Sequence, residues 1–187
     1  KNFLLIFAPS ITSILVFKSK ILFNFKKNVK ELGIRLYNSG IKLNKKNRDR
    51  ADWLLRRKYF KLLRKYKNKE ASLIIDKLPL HTVSLPLINL LFPNAKIIFT
   101  HRHPYDTVLS CFQQSFKPNR AMANLVSLKS SSIMYDQVMN AWDIYKKNLP
   151  LDFITSKYEH LIEDFDGHTL KILDFLGVEW DQNVKKL

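Results

Sequence analysis

Residues 96–110 read KIIFTHRHPYDTVLS, and this stretch predicts a buried strand that leads directly into a helix. Pro104 suits the first position of a helix, and Asp106 suits its first turn. Arg102 lies at the junction, where the start of a helix favours an anion, and Ser110 follows about two turns later. The stretch therefore indicates a place for a phosphate, although an arginine before a helix is also common as an ordinary surface residue.

Further apolar runs predict strands at residues 72–76 and 152–157. Apolar residues at helical spacing predict helices at 51–66, 79–91, 104–116 and 169–176, the last closed by Gly177, with one or two more at 18–46 and at 121–147. Within the last range we expect a core stripe of Met134, Val138, Ala141, Trp142 and Tyr145. Strands separated by helices imply an α/β fold, in which a parallel sheet is flanked by helices.

Polar residues follow each of the three predicted strands. These are Asp76-Lys77, His101-Arg102 and Lys157-Tyr158-Glu159. Ligands of such sheets bind outside the carboxyl ends of the strands, so we expect these groups to converge on one edge.

The net charge of +16 is concentrated near the start of the chain. Residues 1–68 hold 19 Lys and Arg against 3 Asp and Glu, whereas residues 69–187 hold 13 of each sign. We therefore divide the chain into a basic, mainly helical segment, 1–68, and a core, 69–187. Such a segment suits an anionic partner (nucleic acid, a membrane surface or a phosphorylated ligand), but a solvated basic face explains it equally well.

Cysteine and histidine usage limits the alternatives. Cys111 is the only cysteine, which excludes an intrachain disulfide, and the histidines show no paired zinc-type spacing, so no metal is expected. The apolar run 3–17 is shorter than the roughly 20 residues that span a bilayer, and we expect it to form a core strand and a helix start.

Four blocks in order resemble the sulfotransferases that use 3′-phosphoadenosine 5′-phosphosulfate (PAPS). They are DKLPL at 76–80, LFPNAK at 91–96, RHPYDTVLSC at 102–111, and a final block with Trp142, KYEHL at 157–161 and LDFLGVEW at 173–180. The likeness is greatest to the branch fused to tetratricopeptide repeats and related to tyrosylprotein sulfotransferases. It implies the P-loop-like α/β fold of that family and a tetratricopeptide-repeat region in the full-length protein.

The resemblance also implies roles for four residues. Arg102 and Ser110 would bind the 3′-phosphate of PAPS, and Tyr158 would lie by the adenine or nearby donor atoms. Lys77 would contact the transferring sulfuryl group, where an ammonium stabilises charge on the leaving phosphate oxygen. Tyr158 as a half-buried core residue and Lys77 as an exposed strand cap remain alternatives.

One element of the family is missing from the sequence. The loop that holds the 5′-phosphosulfate reads Gly-x-Pro-Arg-Ser-Gly-Thr-Thr in relatives, and none of the four glycines here lies in such a loop. Residues 7–15, FAPSITSIL, share only a proline and hydroxyls with it, a likeness we interpret as coincidence. We expect a domain incomplete at both ends, or an inactive relative. A nucleotide kinase would also need a glycine-rich loop.

These observations predict a sulfotransferase that moves a sulfuryl group from PAPS to a hydroxyl or amine acceptor of unknown class. The rival is a basic module that binds nucleic acid or an anionic membrane through residues 1–68. No helix-turn-helix or RNA-recognition signature supports a specific nucleic acid partner, and membrane association has no further support.

Overall fold

Four parallel strands form the central sheet of the computed structural model, which describes residues 2–7, 53–61, 73–117, 119 and 121–181. The strands are β1 (Asn2–Phe7), β2 (Leu73–Lys77), β3 (Lys96–His101) and β4 (Asp152–Lys157). Their order across the sheet is β2-β1-β3-β4, and every neighbouring pair is parallel. The predicted α/β class is confirmed, and each of the three predicted strands lies within one residue of its expected bounds.

Strand β1 lies between β2 and β3, although its residues belong to the segment that we described as basic and mainly helical. That segment therefore contributes a strand to the core sheet, as the apolar run near the start of the chain suggested. The predicted helices at 18–46 lie outside the described residues.

The described helices flank this sheet. They are α1 (53–61), α2 (Leu85–Leu91), α3 (Pro104–Gln113), α4 (Leu128–Asn148), α5 (Tyr158–Glu163) and α6 (Phe165–Leu176). Two 3₁₀ segments, Pro79–Ser84 and Met122–Leu125, precede α2 and α4. None of the helices in the described ranges is both long and apolar enough to cross a bilayer.

The prediction of one continuous helix at 79–91 is wrong. Residues 79–84 form a 3₁₀ segment and the α-helix begins at Leu85, because Pro86 lacks the N–H that a continuous helix would need there. Helix α6 begins at Phe165, four residues before the predicted start, since the Asp164 side chain accepts a hydrogen bond from the Gly167 N–H. It ends at Gly177 in the left-handed region, with φ of 69°, as predicted.

The main core lies between the sheet, α1, α2 and α4. Leu55 and Tyr59 of α1 pack there with Ile97 and Phe99 of β3, and the ring of Trp142 stacks on Phe99 with the centroids 4.0 Å apart. Of the predicted stripe on α4, Trp142 is buried and Tyr145 packs against the core, whereas Met134 and Val138 line a cavity. The stripe is therefore only partly core.

Candidate active site

The carboxyl ends of the four strands share one edge of the sheet because all four strands run in the same direction. Strands β3 and β4 end in register, with His101 opposite Lys157. Lys77 ends β2 opposite Ile6 of β1. Lys77 and the end of β3 are separated by one strand, so a ligand that touches both must span about 10 Å, at ~4.8 Å per strand.

Arg102, directly after β3, is held from two sides. Its Nε and Nη2 atoms donate to Oδ2 of Asp106 at 3.2 and 3.0 Å. Its guanidinium carbon lies 5.1 Å from the centroid of the Tyr158 ring, which is 44% exposed. Because both nitrogens meet one carboxylate oxygen, the guanidinium keeps further N–H donors for an anion.

Ser110 shares a helix face with Asp106. The two residues are four positions apart on α3, so their side chains lie one above the other. The predicted pair Arg102 and Ser110 is therefore aligned along one side of α3, with the Asp106 carboxylate between them. Both predicted residues are partly exposed.

The start of α3 is anchored by a residue whose role the sequence analysis did not identify. The backbone N–H of His103 donates to Oε1 of Glu159 at 2.8 Å. Backbone hydrogen bonds, chiefly at Glu159 itself and from His103, hold the pKa of the Glu159 carboxyl below its usual range. Glu159 thus ties the start of α3 to α5, and the same pair of helices brings Tyr158 next to Arg102.

A buried network of three side chains lies beside Lys77. The Tyr59 hydroxyl donates to Oδ2 of Asp76 at 2.7 Å, and Nε2 of His81 lies 3.2 Å from Oδ1 of the same carboxylate. Tyr59 and His81 are fully buried. Burial favours the neutral carboxyl, but hydrogen bonds and charge from His81, with the bond from Tyr59, lower the pKa of Asp76 overall. The network fixes the backbone at the residue that precedes Lys77.

A cavity of about 340 Å³ extends from Lys77 between α3 and α4. Thr107, Val108 and Cys111 of α3 form one wall, and Met134 and Val138 of α4 belong to the opposite wall. Successive residues of an α-helix are rotated by about 100° around its axis, so Thr107, Val108 and Cys111 lie on a different side of α3 from Asp106 and Ser110. Helix α3 therefore separates a polar face from an apolar cavity.

The structure brings Arg102 and Tyr158 into contact, aligns Ser110 with Arg102, and places Lys77 in the wall of the cavity. It places Tyr158 against the guanidinium of Arg102, and the expected position of Tyr158 by the adenine or nearby donor atoms stays a prediction. Sequence analysis expected Asp76 and Glu159 at this edge but assigned them no partner, and it gave no site role to Tyr59 or His81. The spacing of Asp76 and His81 across a proline-containing turn was the available signal, but it depends on a 3₁₀ segment that the pattern did not predict.

His101 is a poor candidate for a positively charged group that binds an anion at this edge. Burial, followed by the charge of Lys157, lowers its pKa, which keeps the imidazole neutral at neutral pH. Within the parts of the chain that the structure describes, no group of three or more His, Cys, Asp or Glu side chains is arranged to hold a metal ion.

Comparison with known proteins identifies the class of protein to which this chain belongs. The family described as the Sulfotransferase family matches residues 22–182. This match covers most of the chain, so the chain belongs to the sulfotransferase family, as the four blocks of sequence indicated.

The similar proteins include one curated relative and one solved structure. An uncharacterized protein of Aquifex aeolicus (strain VF5) is 28% identical over 118 residues, which are 63% of this chain and 16% of that protein. The solved sulfotransferase domain of the Synechococcus PCC 7002 olefin synthase is 16% identical, with a TM-score of 0.48 over 97% of this chain and 74% of that one. The chain thus spans only a small part of the Aquifex relative. Neither comparison tests the proposed tetratricopeptide-repeat branch, which stays a prediction.

Proposed function

We propose that the protein binds PAPS at the carboxyl edge of the sheet and transfers its sulfuryl group to a hydroxyl or amine acceptor. One observation carries this proposal. In a chain of the sulfotransferase family, Arg102 stands between a buried strand and the start of α3, with Ser110 on the same side of that helix. The N–H groups in the first turn of a helix favour an anion, so both features suit a phosphate.

In this proposal the 3′-phosphate of the donor lies along the polar face of α3. Arg102 binds it through the guanidinium N–H groups that do not meet Asp106, and the Ser110 hydroxyl donates from further along α3. Asp106 and Tyr158 hold the guanidinium in place. A pre-positioned arginine loses less side-chain entropy when the ligand binds.

Lys77 acts on the reacting end of the donor. The acceptor oxygen forms a bond to sulfur while the bond between sulfur and the bridging phosphate oxygen breaks, and the acceptor's proton passes to solvent. The products are the sulfated acceptor and adenosine 3′,5′-bisphosphate. The Lys77 ammonium stabilises the charge that develops on the leaving oxygen.

The 5′ side of the donor also needs a contact at this edge. Strand β1 ends at Phe7, between β2 and β3, and the chain continues with the proline and hydroxyls of APSITS at 8–13. Those residues lie outside the described part of the chain. The sequence analysis interpreted their likeness to the family's glycine-rich loop as coincidence; because they directly follow β1 in the chain, we now propose that they contact the 5′-phosphosulfate.

The test is a comparison of two nucleotides by titration calorimetry on the full chain. Adenosine 3′,5′-bisphosphate should bind the Arg102→Ala variant about 10–100-fold more weakly than the unmodified protein, the range for a lost charge-assisted hydrogen bond. Adenosine 5′-monophosphate, which lacks the 3′-phosphate, should lose much less affinity.

Arg57→Ala is the matched control. Arg57 also lies over an aromatic ring, with its guanidinium carbon 5.2 Å from the Trp53 centroid, but it is an exposed residue of α1. Its removal should leave both affinities unchanged. Equal losses for the two nucleotides on Arg102→Ala, or none, would overturn the assignment of Arg102 to the 3′-phosphate.

A further inference from the structure

The cavity beside Lys77 is lined mainly by apolar side chains, which a phosphate site does not require. All three methionines of the chain, Met122, Met134 and Met139, lie in its wall. Phe116 and Leu125 lie there as well. Among the described residues that line it, Lys77 alone carries a full charge, and no carboxylate is present.

This lining favours a ligand whose main part is apolar. Methionine is flexible and polarizable, and it is common on surfaces that accommodate apolar ligands of varied shape. A sugar or a basic peptide has more polar groups than the few polar side chains of this wall can pair, and each group left without a partner costs about 1–3 kcal/mol. An aliphatic or aromatic skeleton loses nothing of this kind.

The dimensions suit a small molecule. A volume of about 340 Å³ lies near the lower end of the range for small-molecule pockets, which is ~300–1,000 Å³. At a share of ~30 Å³ for each water molecule in the liquid, it equals about eleven waters. An acceptor with roughly a dozen non-hydrogen atoms fills it.

An independent observation at Ser131 also indicates a ligand. Ser131 lines the cavity on α4, is 2% exposed, and its hydroxyl has no hydrogen-bond partner among the described residues. A buried hydroxyl without a partner is costly in a folded protein. A simple alcohol whose hydroxyl lies at Lys77 leaves that cost in place, whereas an acceptor with a second polar group at Ser131 removes it.

Two residues connect the cavity to the donor edge. Lys77 is the last residue of β2, and Thr107 lies in the first turn of α3, where its hydroxyl donates to the His103 carbonyl at 3.1 Å. Both line the cavity. A molecule within it therefore contacts Lys77, whose ammonium the proposed reaction uses.

We infer that this cavity is the acceptor site and that the acceptor is an apolar alcohol or phenol. The inference rests on the proposed sulfuryl transfer, whose acceptor class it narrows. The hydroxyl oxygen of the acceptor lies at Lys77 and becomes bonded to sulfur, while the hydrocarbon part lies between α3 and α4.

The experiment measures kcat/KM on the full chain with PAPS and primary alcohols of increasing length. Each added methylene should raise kcat/KM about fourfold, from ~0.8 kcal/mol of buried hydrocarbon, until the cavity is full. A sugar and a tyrosine-containing peptide serve as competing acceptors. No dependence on chain length, or preferred sulfation of the sugar or peptide, would overturn the inference and leave the proposed function standing.

Two variants test the location. Val138→Phe should raise the KM of the longest good alcohol at least tenfold and leave the KM of PAPS unchanged, whereas Met134→Ala should shift the optimum to longer alcohols. Ile144→Phe, on the exposed side of the same helix, is the control and should change neither KM. An unaltered length profile in both cavity variants would exclude this cavity as the acceptor site.

Binding without transfer distinguishes the two proposals. The thermal shift caused by 1-decanol is measured with adenosine 3′,5′-bisphosphate present. A shift that Val138→Phe abolishes supports the cavity assignment even if no sulfation occurs, an outcome that contradicts only the proposed function. Absence of any shift in the unmodified protein would contradict the cavity assignment.

Discussion

The guanidinium of Arg102 lies over the ring of Tyr158, with 5.1 Å between its central carbon and the ring centroid. Asp106 holds the same group from the side of α3. A flexible side chain at the edge of a sheet is thereby confined to one orientation. The ring of Tyr158, and not its hydroxyl, makes this contact, and the two can be separated by substitution.

Tyr158→Phe should therefore leave the affinity for adenosine 3′,5′-bisphosphate within about twofold, because the ring remains. Tyr158→Leu should weaken it about two- to fivefold, the range for a partly exposed cation–π contact of ~0.5–1 kcal/mol. Titration calorimetry measures both. A larger loss in the Phe variant than in the Leu variant would instead indicate that the hydroxyl binds the nucleotide.

Lys77→Met should lower kcat at least about 100-fold, because a fixed charge that stabilises a leaving oxygen contributes most in the transition state. The affinity for adenosine 3′,5′-bisphosphate should change far less. Lys157→Met is the control, since Lys157 is the final residue of another parallel strand at the same edge. A similar loss of kcat in both variants would contradict a specific role for Lys77.

The Asp76 network should make stability depend on pH in the acid range. The pKa of Asp76 is lowered in the folded state, so its contribution is complete above the unfolded value near 3.8 and is lost as the pH falls through the folded value. Asp76→Asn should reduce the free energy of unfolding at pH 7 by about 1–3 kcal/mol and flatten this dependence. Urea unfolding between pH 7 and pH 3 measures it.

Asp143→Asn is the matched control for that measurement. Asp143 also has a lowered pKa, chiefly through its hydrogen bond to Lys146, but the pair is exposed on α4. Exposed pairs contribute little to stability. An acid dependence that is as steep in Asp76→Asn as in the unmodified protein would assign the effect to other carboxylates.

Gly177→Ala should destabilise the protein by about 1–2 kcal/mol, because an L side chain is strained in the left-handed conformation. A β-carbon there would meet no atom within 4 Å, so the cost is conformational and not steric crowding. Gly177→Asn should cost less, since asparagine tolerates this conformation better. Thermal unfolding compares the two, and an Asn variant less stable than the Ala variant would refute this explanation.

Sequence patterns predicted the strands and helices that are determined by residues close together in the chain. The run KIIFT at 96–100 and the proline after it were sufficient for β3 and the start of α3, and four-residue spacing was sufficient to align Ser110 with Asp106. Pro86 was the local signal for the break at 84, and the leucine pattern concealed it. Helix α5 was missed because its six residues are too few to show a period.

Contacts between distant parts of the chain could not be predicted in this way. Tyr59 and Asp76 are 17 positions apart and meet because α1 packs near the end of β2. Glu159 reaches His103 across 56 positions, through the pairing of β3 with β4. The cavity could not be predicted from local patterns either. Apolar residues at helical spacing form the same sequence pattern whether they face a packed core or an open cavity.

The two sides of α3 have a consequence for how this protein can diverge. If the proposed function holds, Arg102, Asp106 and Ser110 determine which donor is used, while Thr107, Val108 and Cys111 contribute to the choice of acceptor. The two sets alternate along a few consecutive positions but point in different directions. New acceptors can then arise by mutation within this one helix while donor chemistry is inherited unchanged.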